Sequence, residues 1–124
     1  AEGSFYEPRI QAMVLLCPAS FPYAKEGLQK VRTRFGLIAS KGDEVLPHLS
    51  HGLRILKYAT PLRFQLLRKE ISHYAFLNRL SPLGKKVFPP FLAQDPPCCD
   101  RGALYEETKE FVVKFFDRYL HSLP

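Results

Sequence analysis

The chain has 124 residues, 46% of them hydrophobic and 24% charged, the make-up of an ordinary globular domain, which excludes a disordered polypeptide. Its longest apolar run, AMVLLC at 12–17, is far below the ~18 residues a membrane-crossing helix requires, so no transmembrane segment is expected. A net charge of +6 points to acidic partners only if the cations gather on one surface. They concentrate in the middle, where eight Lys or Arg between Arg54 and Lys86 stand against Glu70 alone.

A chain this long buries roughly two-thirds of its unfolded surface, enough for a core without covalent staples, and residues 1–124 are read as one domain. Residues 1–7 are taken as a tag remnant or a flexible start, or as the trimmed edge of a longer polypeptide. The three cysteines, Cys17 and the vicinal Cys98 and Cys99, form no disulfide framework and point to a reducing, intracellular compartment.

In chain order, RIQAMVLLC at 9–17 reads as a short buried strand, with a helix opened by Pro8 as the competing reading. After the turn-rich CPASFP, residues Ala24, Leu28, Val31 and Phe35 recur at helical spacing, so 22–35 is expected to be a surface helix stopped by Gly36. LIAS at 37–40 is a second strand, and the order strand, helix, strand is that of a βαβ unit with parallel strands. Residues 53–58, LRILKY, fit either helical turns or a third strand.

Thr60 and Pro61 have the form of an N-cap and first helical residue. PLRFQLLRKEISHYAFLNRL at 61–80 is therefore expected to be one long helix. On a helical wheel its apolar residues cover more than half the circumference and its cations scatter, which predicts an enclosed core spine and not a polyanion-binding face. Residues 81–102 hold five of the eleven prolines and are read as an irregular, proline-rich connection. ALYEETKEFVVKFFDRYL at 103–120 is an amphipathic helix with acids leading and bases trailing, in keeping with the helix dipole. The expected fold is a mostly helical α+β domain, a small sheet packed by three main helices, with an all-helical domain as the alternative.

Four constellations carry candidate chemistry. His48, His51, Cys98 and Cys99 include zinc-ligand types but lack paired-ligand spacing, so no metal and no cofactor is expected. Cys17 or Ser20 could serve as a nucleophile at a strand end, with Lys25 helping to hold an anionic substrate and His48, His51 or His73 as base. The surroundings lack the glycines and motifs of known nucleophile turns, and a buried strand-end cysteine with a helix-capping serine is the plainer reading. Lys30, Arg32 and Arg34 form a candidate polyanion-binding group, although cations at a helix C-terminus also follow from the dipole. Lys85, Lys86, Phe88, Phe91 and Leu92 in the proline-rich stretch form a candidate partner-binding surface. The sequence thus suggests a non-enzymatic interaction module for a protein partner first and RNA second, with a small enzyme acting on an anionic substrate at the 17–25 turn as the alternative.

Overall fold

The computed structural model describes residues 7–90 and 97–120. Three strands, β1 (Ala12–Leu16), β2 (Arg34–Ser40) and β3 (Arg63–Leu67), form a wholly parallel sheet in the order β1-β2-β3. Two short helices supply the crossovers, α1 (Lys25–Gln29) and α2 (Gly52–Ala59). After β3 come a 3₁₀ turn (His73–Phe76), a helix α3 (Pro82–Val87) and the long helix α4 (Arg101–Leu120). The mixed α+β class and the opening βαβ unit are as expected; the long helix at 61–80 is not.

Period-two alternation assigns the side chains to two cores. Met13, Leu15, Phe35, Leu37 and Phe64 meet Leu28 of α1 and Ile55 of α2 on one face. Val14, Ile38 and Leu67 meet Leu104 and Phe111 of α4 on the other, with Ile71 and Ala75 beside them. Parallel strands covered on both faces read as continuous apolar runs, which is why AMVLL and FGLIA carry no charge.

Residues 61–80 show how an apolar run can mislead. Thr60 does not open a helix; it closes α2 in the left-handed conformation, φ 51°. Residues 63–67 alternate between faces: Phe64 lies in the α1/α2 core, while Arg63 stacks its guanidinium 4.7 Å from the Phe111 ring and Gln65 donates to Glu107 of α4. Because both faces of β3 are covered, its apolar residues spread around a helical wheel as those of an enclosed helix would. Leu67 and Ile71 are buried and Phe64 and Phe76 partly so, so the segment is enclosed as expected, but as strand, turn and 3₁₀ turn.

Other boundaries move for similar reasons. The helix expected at 22–35 is confined to Lys25–Gln29, and the strand begins at Arg34, three residues before the expected 37. Gly36 is a packing site within β2, where an added Cβ would lie 2.8 Å from Phe111 Cε1. Residues 53–58 are helical, within α2. The proline-rich connection is not wholly irregular: Ser81 Oγ accepts from Gly84 N at 3.1 Å and caps α3 at its proline. The C-terminal helix stands where the pattern put it, starting two residues earlier, with Leu104, Phe111 and Phe115 buried.

Two glycines separate packing from propensity. Gly36→Ala should lower stability by about 1–3 kcal/mol, because the methyl meets the Phe111 and Phe115 rings. Gly27→Ala in α1, with nothing within 4 Å of the added methyl, should raise it by up to about 1 kcal/mol. Urea denaturation of both variants checks the pair, and changes of the same sign would contradict the packing described for α4.

Candidate functional site

In a parallel sheet every strand ends at the same edge, and ligand sites of open α/β sheets lie outside those carboxyl ends. Three connections leave that edge here: Cys17 to Ala24 after β1, Lys41 to His51 after β2, and Arg68 to Ser72 after β3. The last two are fastened together. Ser40 Oγ, fully buried, donates toward Ile71 O at 2.5 Å and Arg68 O at 3.2 Å, and it accepts from Gly42 N at 3.2 Å. Lys41 N donates to Leu67 O at 3.2 Å. Gly42 allows this approach, since a Cβ there would lie 2.2 Å from Lys69 O and 2.7 Å from Ile71 O.

The fastening brings Asp43 and His73 together. His73 Nδ1 donates to Asp43 Oδ2 at 2.9 Å, with the carboxylate side chain 1% exposed and the imidazole 23%. Asp43 Oδ1 accepts from Val45 N at 3.1 Å and Leu46 N at 2.7 Å, and His73 N donates to Glu44 Oε2 at 3.3 Å. An ionised carboxylate only accepts hydrogen bonds, so the proton of this bond sits on Nδ1, and in the neutral form of the ring Nε2 is then the acceptor. The His73 and Tyr74 rings meet edge to face, centroids 5.1 Å apart. The result is a buried carboxylate, fixed by two backbone amides, that orients a partly exposed imidazole.

Cys17 closes the group from the β1 side. It has a left-handed backbone, φ 43°, and its amide donates to Ile38 O at 2.8 Å. Burial first, and then the negative charge and hydrogen bond of Asp43, push its thiol up to about 12. A thiol so raised stays protonated and is a poor nucleophile.

The 17–25 turn is ordered by a second polar group. Ser20 is fully buried; its hydroxyl donates to Ser50 O at 3.1 Å and its amide to His51 Nδ1 at 3.2 Å. Arg54 clamps the same turn, donating to Ser20 O and Tyr23 O at 2.7 Å each. Ser20 is not a helix cap, since Ala24 occupies the N-cap of α1 with no side-chain bond. The serine proton is committed to a carbonyl and its oxygen is out of reach of solvent, so this histidine–serine contact supports the turn.

The other expected residues are dispersed. Lys30 and Arg32 are exposed beyond the end of α1, whereas Arg34 begins β2 and donates to Tyr119 O of α4 at 3.0 Å. Lys85 and Lys86 are exposed in the last turn of α3, and Phe88 follows it, half-exposed. Phe91 and Leu92 lie outside the described residues. Among the described residues, no group of three or more His, Cys, Asp or Glu side chains is placed to hold a metal ion, and no helix is long and apolar enough to cross a membrane. The Asp43–His73 pair was hidden because a single helix at 61–80 puts His73 far from any strand end. The available signal was GLIASKGD followed by RFQLLRKEISH, two apolar strands each leading to a polar turn with an ionisable residue.

Comparison of the chain with models of known families, with curated proteins and with solved structures finds no significant match.

The Cys17 thiol predicts a pH dependence. In the unfolded chain it ionises near 9.0, and in the fold only near 12. The unfolded state therefore releases this proton first. The stability tied to it is fully present below pH 9 and is lost as pH rises toward 12, with a slope of up to about 1.4 kcal/mol per pH unit. Measured by urea denaturation between pH 8 and 10.5, the stability of Cys17→Ala should fall less steeply than that of the parent; parallel curves would contradict the burial of the thiol.

Proposed function

We propose that this chain carries the acid–base half of a hydrolytic site, with His73 as the general base and Asp43 as the residue that orients it. The observation that supports this reading is the 2.9 Å bond from His73 Nδ1 to a carboxylate that is 1% exposed at the carboxyl edge of a parallel sheet. A structural ion pair has no need of an imidazole whose second nitrogen is left available. Among the described residues no side chain is bonded to His73 Nε2.

In the reaction, Nε2 takes the proton of a water or hydroxyl as its oxygen attacks an ester or amide carbonyl. The imidazolium then returns that proton to the leaving group as the carbon–oxygen or carbon–nitrogen bond breaks. Asp43 holds the ring in the required tautomer and stabilises its positive charge without itself accepting the proton. Acid before histidine along the chain is the order of the last two triad members in α/β-hydrolases, whose serine precedes both. A preceding strand paired along the outer edge of β1 would bring such a hydroxyl to the same edge of the sheet. That edge suits a further strand: β1 is apolar throughout and, among the described residues, pairs on one side only, with β2.

The test is hydrolysis of a series of p-nitrophenyl acyl esters by the polypeptide as it occurs in cells. His73→Ala and Asp43→Asn should each lower kcat by about 100-fold or more, with the protein still folded. Hydrolysis unchanged by both substitutions, or no hydrolysis of any ester or amide by the parent, would overturn the reading.

A second reading, the interaction module, rests on a different observation. Leu83 and Val87 of α3 are each 71% exposed and Phe88 50%, with Lys85 and Lys86 among them. An apolar and basic surface of this kind suits a protein or RNA partner. A photo-crosslinking residue at Leu83 should yield one defined adduct in cell extract, sensitive to nuclease if the partner is RNA; diffuse labelling would remove this reading.

A further inference from the structure

The 3₁₀ turn that carries His73 is fastened at both ends. Its leading end is held by the Ser40 bond to Ile71 O and by Glu44, whose carboxylate accepts from His73 N. Its trailing end is held by α4. The Leu77 amide donates to Tyr74 O at 3.1 Å and closes the turn, while the Leu77 carbonyl accepts twice, from Arg101 Nη1 at 2.5 Å and from the Tyr105 hydroxyl at 2.6 Å. We infer that Arg101 and Tyr105 are positioning residues of the acid–base site: they clasp the Leu77 carbonyl and thereby fix the turn from which His73 meets Asp43. The inference rests on the reading of Asp43 and His73 as an acid–base pair and adds two residues to it.

A 3₁₀ turn as short as His73–Phe76 does not hold its shape unaided, because its hydrogen bonds are few and poorly aligned. It takes its orientation from its anchors. An anchor at the leading end alone would leave the turn free to pivot about Ile71, and the imidazole would swing away from a carboxylate that two backbone amides keep in place. The clasp at Leu77 removes that pivot. It is helped by Ala75, fully buried, and by Phe76, which packs on the core that holds Leu104 and Phe111 of α4. Neither helix formation nor burial accounts for an arginine at 101. It is the first residue of α4, where a cation opposes the helix dipole, and it is 4% exposed. What the position provides is a rigid planar donor that reaches a backbone carbonyl 24 residues away in the chain. Tyr105, one turn further along the same face of α4, supplies the second donor, and the two lone pairs of the carbonyl accommodate both.

Because one carbonyl takes both donors, their joint removal is the test. Arg101→Met and Tyr105→Phe each delete a donor and keep the apolar bulk of the side chain. In p-nitrophenyl ester hydrolysis each alone should lower kcat by no more than about 3-fold, and the pair by about 30-fold or more at little-changed KM, well beyond the product of the two. Arg101→Lys with Tyr105→Phe should recover most of that loss, since the ammonium is again a donor. A merely structural clasp predicts a lower denaturation midpoint with kcat of the folded protein unmoved. The second measurement needs no hydrolysis. In proton spectra of the folded protein the His73 Nδ1 proton should exchange with water about 10-fold faster in the double variant, through local opening of the turn, and about 2-fold faster in Arg101→Met alone, which serves if the double variant does not fold. Losses in kcat that merely multiply, or an Nδ1 proton indifferent to these substitutions, would overturn the inference. Absence of hydrolysis by the parent, with the Nδ1 proton still responding, would overturn the acid–base reading and leave the clasp in place.

Discussion

The turn after β2 and the turn after β3 are held so closely that only a glycine fits between them, and the rest of the site follows from that contact. Ser40 is the last residue of β2, and its hydroxyl spends itself on the carbonyls of Arg68 and Ile71. Gly42 has no Cβ to meet Lys69 O at 2.2 Å. Neither residue has chemistry of its own to offer a substrate. Together they convert the parallel register of two strands into a fixed distance between Asp43 and His73. The bond to Ile71 O is buried and the bond to Arg68 O partly so; loss of the buried one would leave an unpaired carbonyl in the core, at a cost of about 1–3 kcal/mol.

The two hydrophobic layers make that edge rigid. α1 and α2 pack on one face, α4 on the other, and β2 passes between them with six buried residues in succession. Because α4 lies directly over Gly36 through Phe111, the sheet cannot shift without opening the core. The same helix reaches the beginning of β2 through Arg34 and Tyr119. The carboxyl edge is thus a fixed platform on which the turns carry the reactive groups, the usual division of labour in α/β folds.

Much of this was legible in the sequence. The apolar run AMVLL, the break at CPASFP and the run LIAS defined a parallel βαβ unit, because parallel crossovers need an intervening helix and their strands are apolar on both faces. The 103–120 pattern defined α4. Residues 61–80 were not legible, since a strand covered on both sides and a following 3₁₀ turn leave the same apolar excess as an enclosed helix, and Thr60-Pro61 mimicked a helix start while closing α2. That one misreading hid the site: with His73 inside a helix, nothing tied it to the Asp43 that follows a strand some thirty residues earlier. Cys17 was legible as a buried strand-end thiol, but its neighbour in space was not, because the contact depends on the order in which the strands lie in the sheet. Of the cations at 30, 32 and 34, Arg34 belongs to the strand and donates to the backbone of α4, a placement the pattern missed because it put the strand start at 37.

The central claim is that the glycine contact between the two turns sets the pairing of Asp43 with His73, and a double-mutant cycle measures it most directly. Stability would be determined for Asp43→Asn, His73→Gln and the double variant, first in the parent and then in a Gly42→Ala background. The account predicts a coupling of about 1.5 kcal/mol or more in the parent, the value of a hydrogen bond to a charged group, and its near disappearance when Gly42 is replaced. A coupling of the same size in both backgrounds would contradict it.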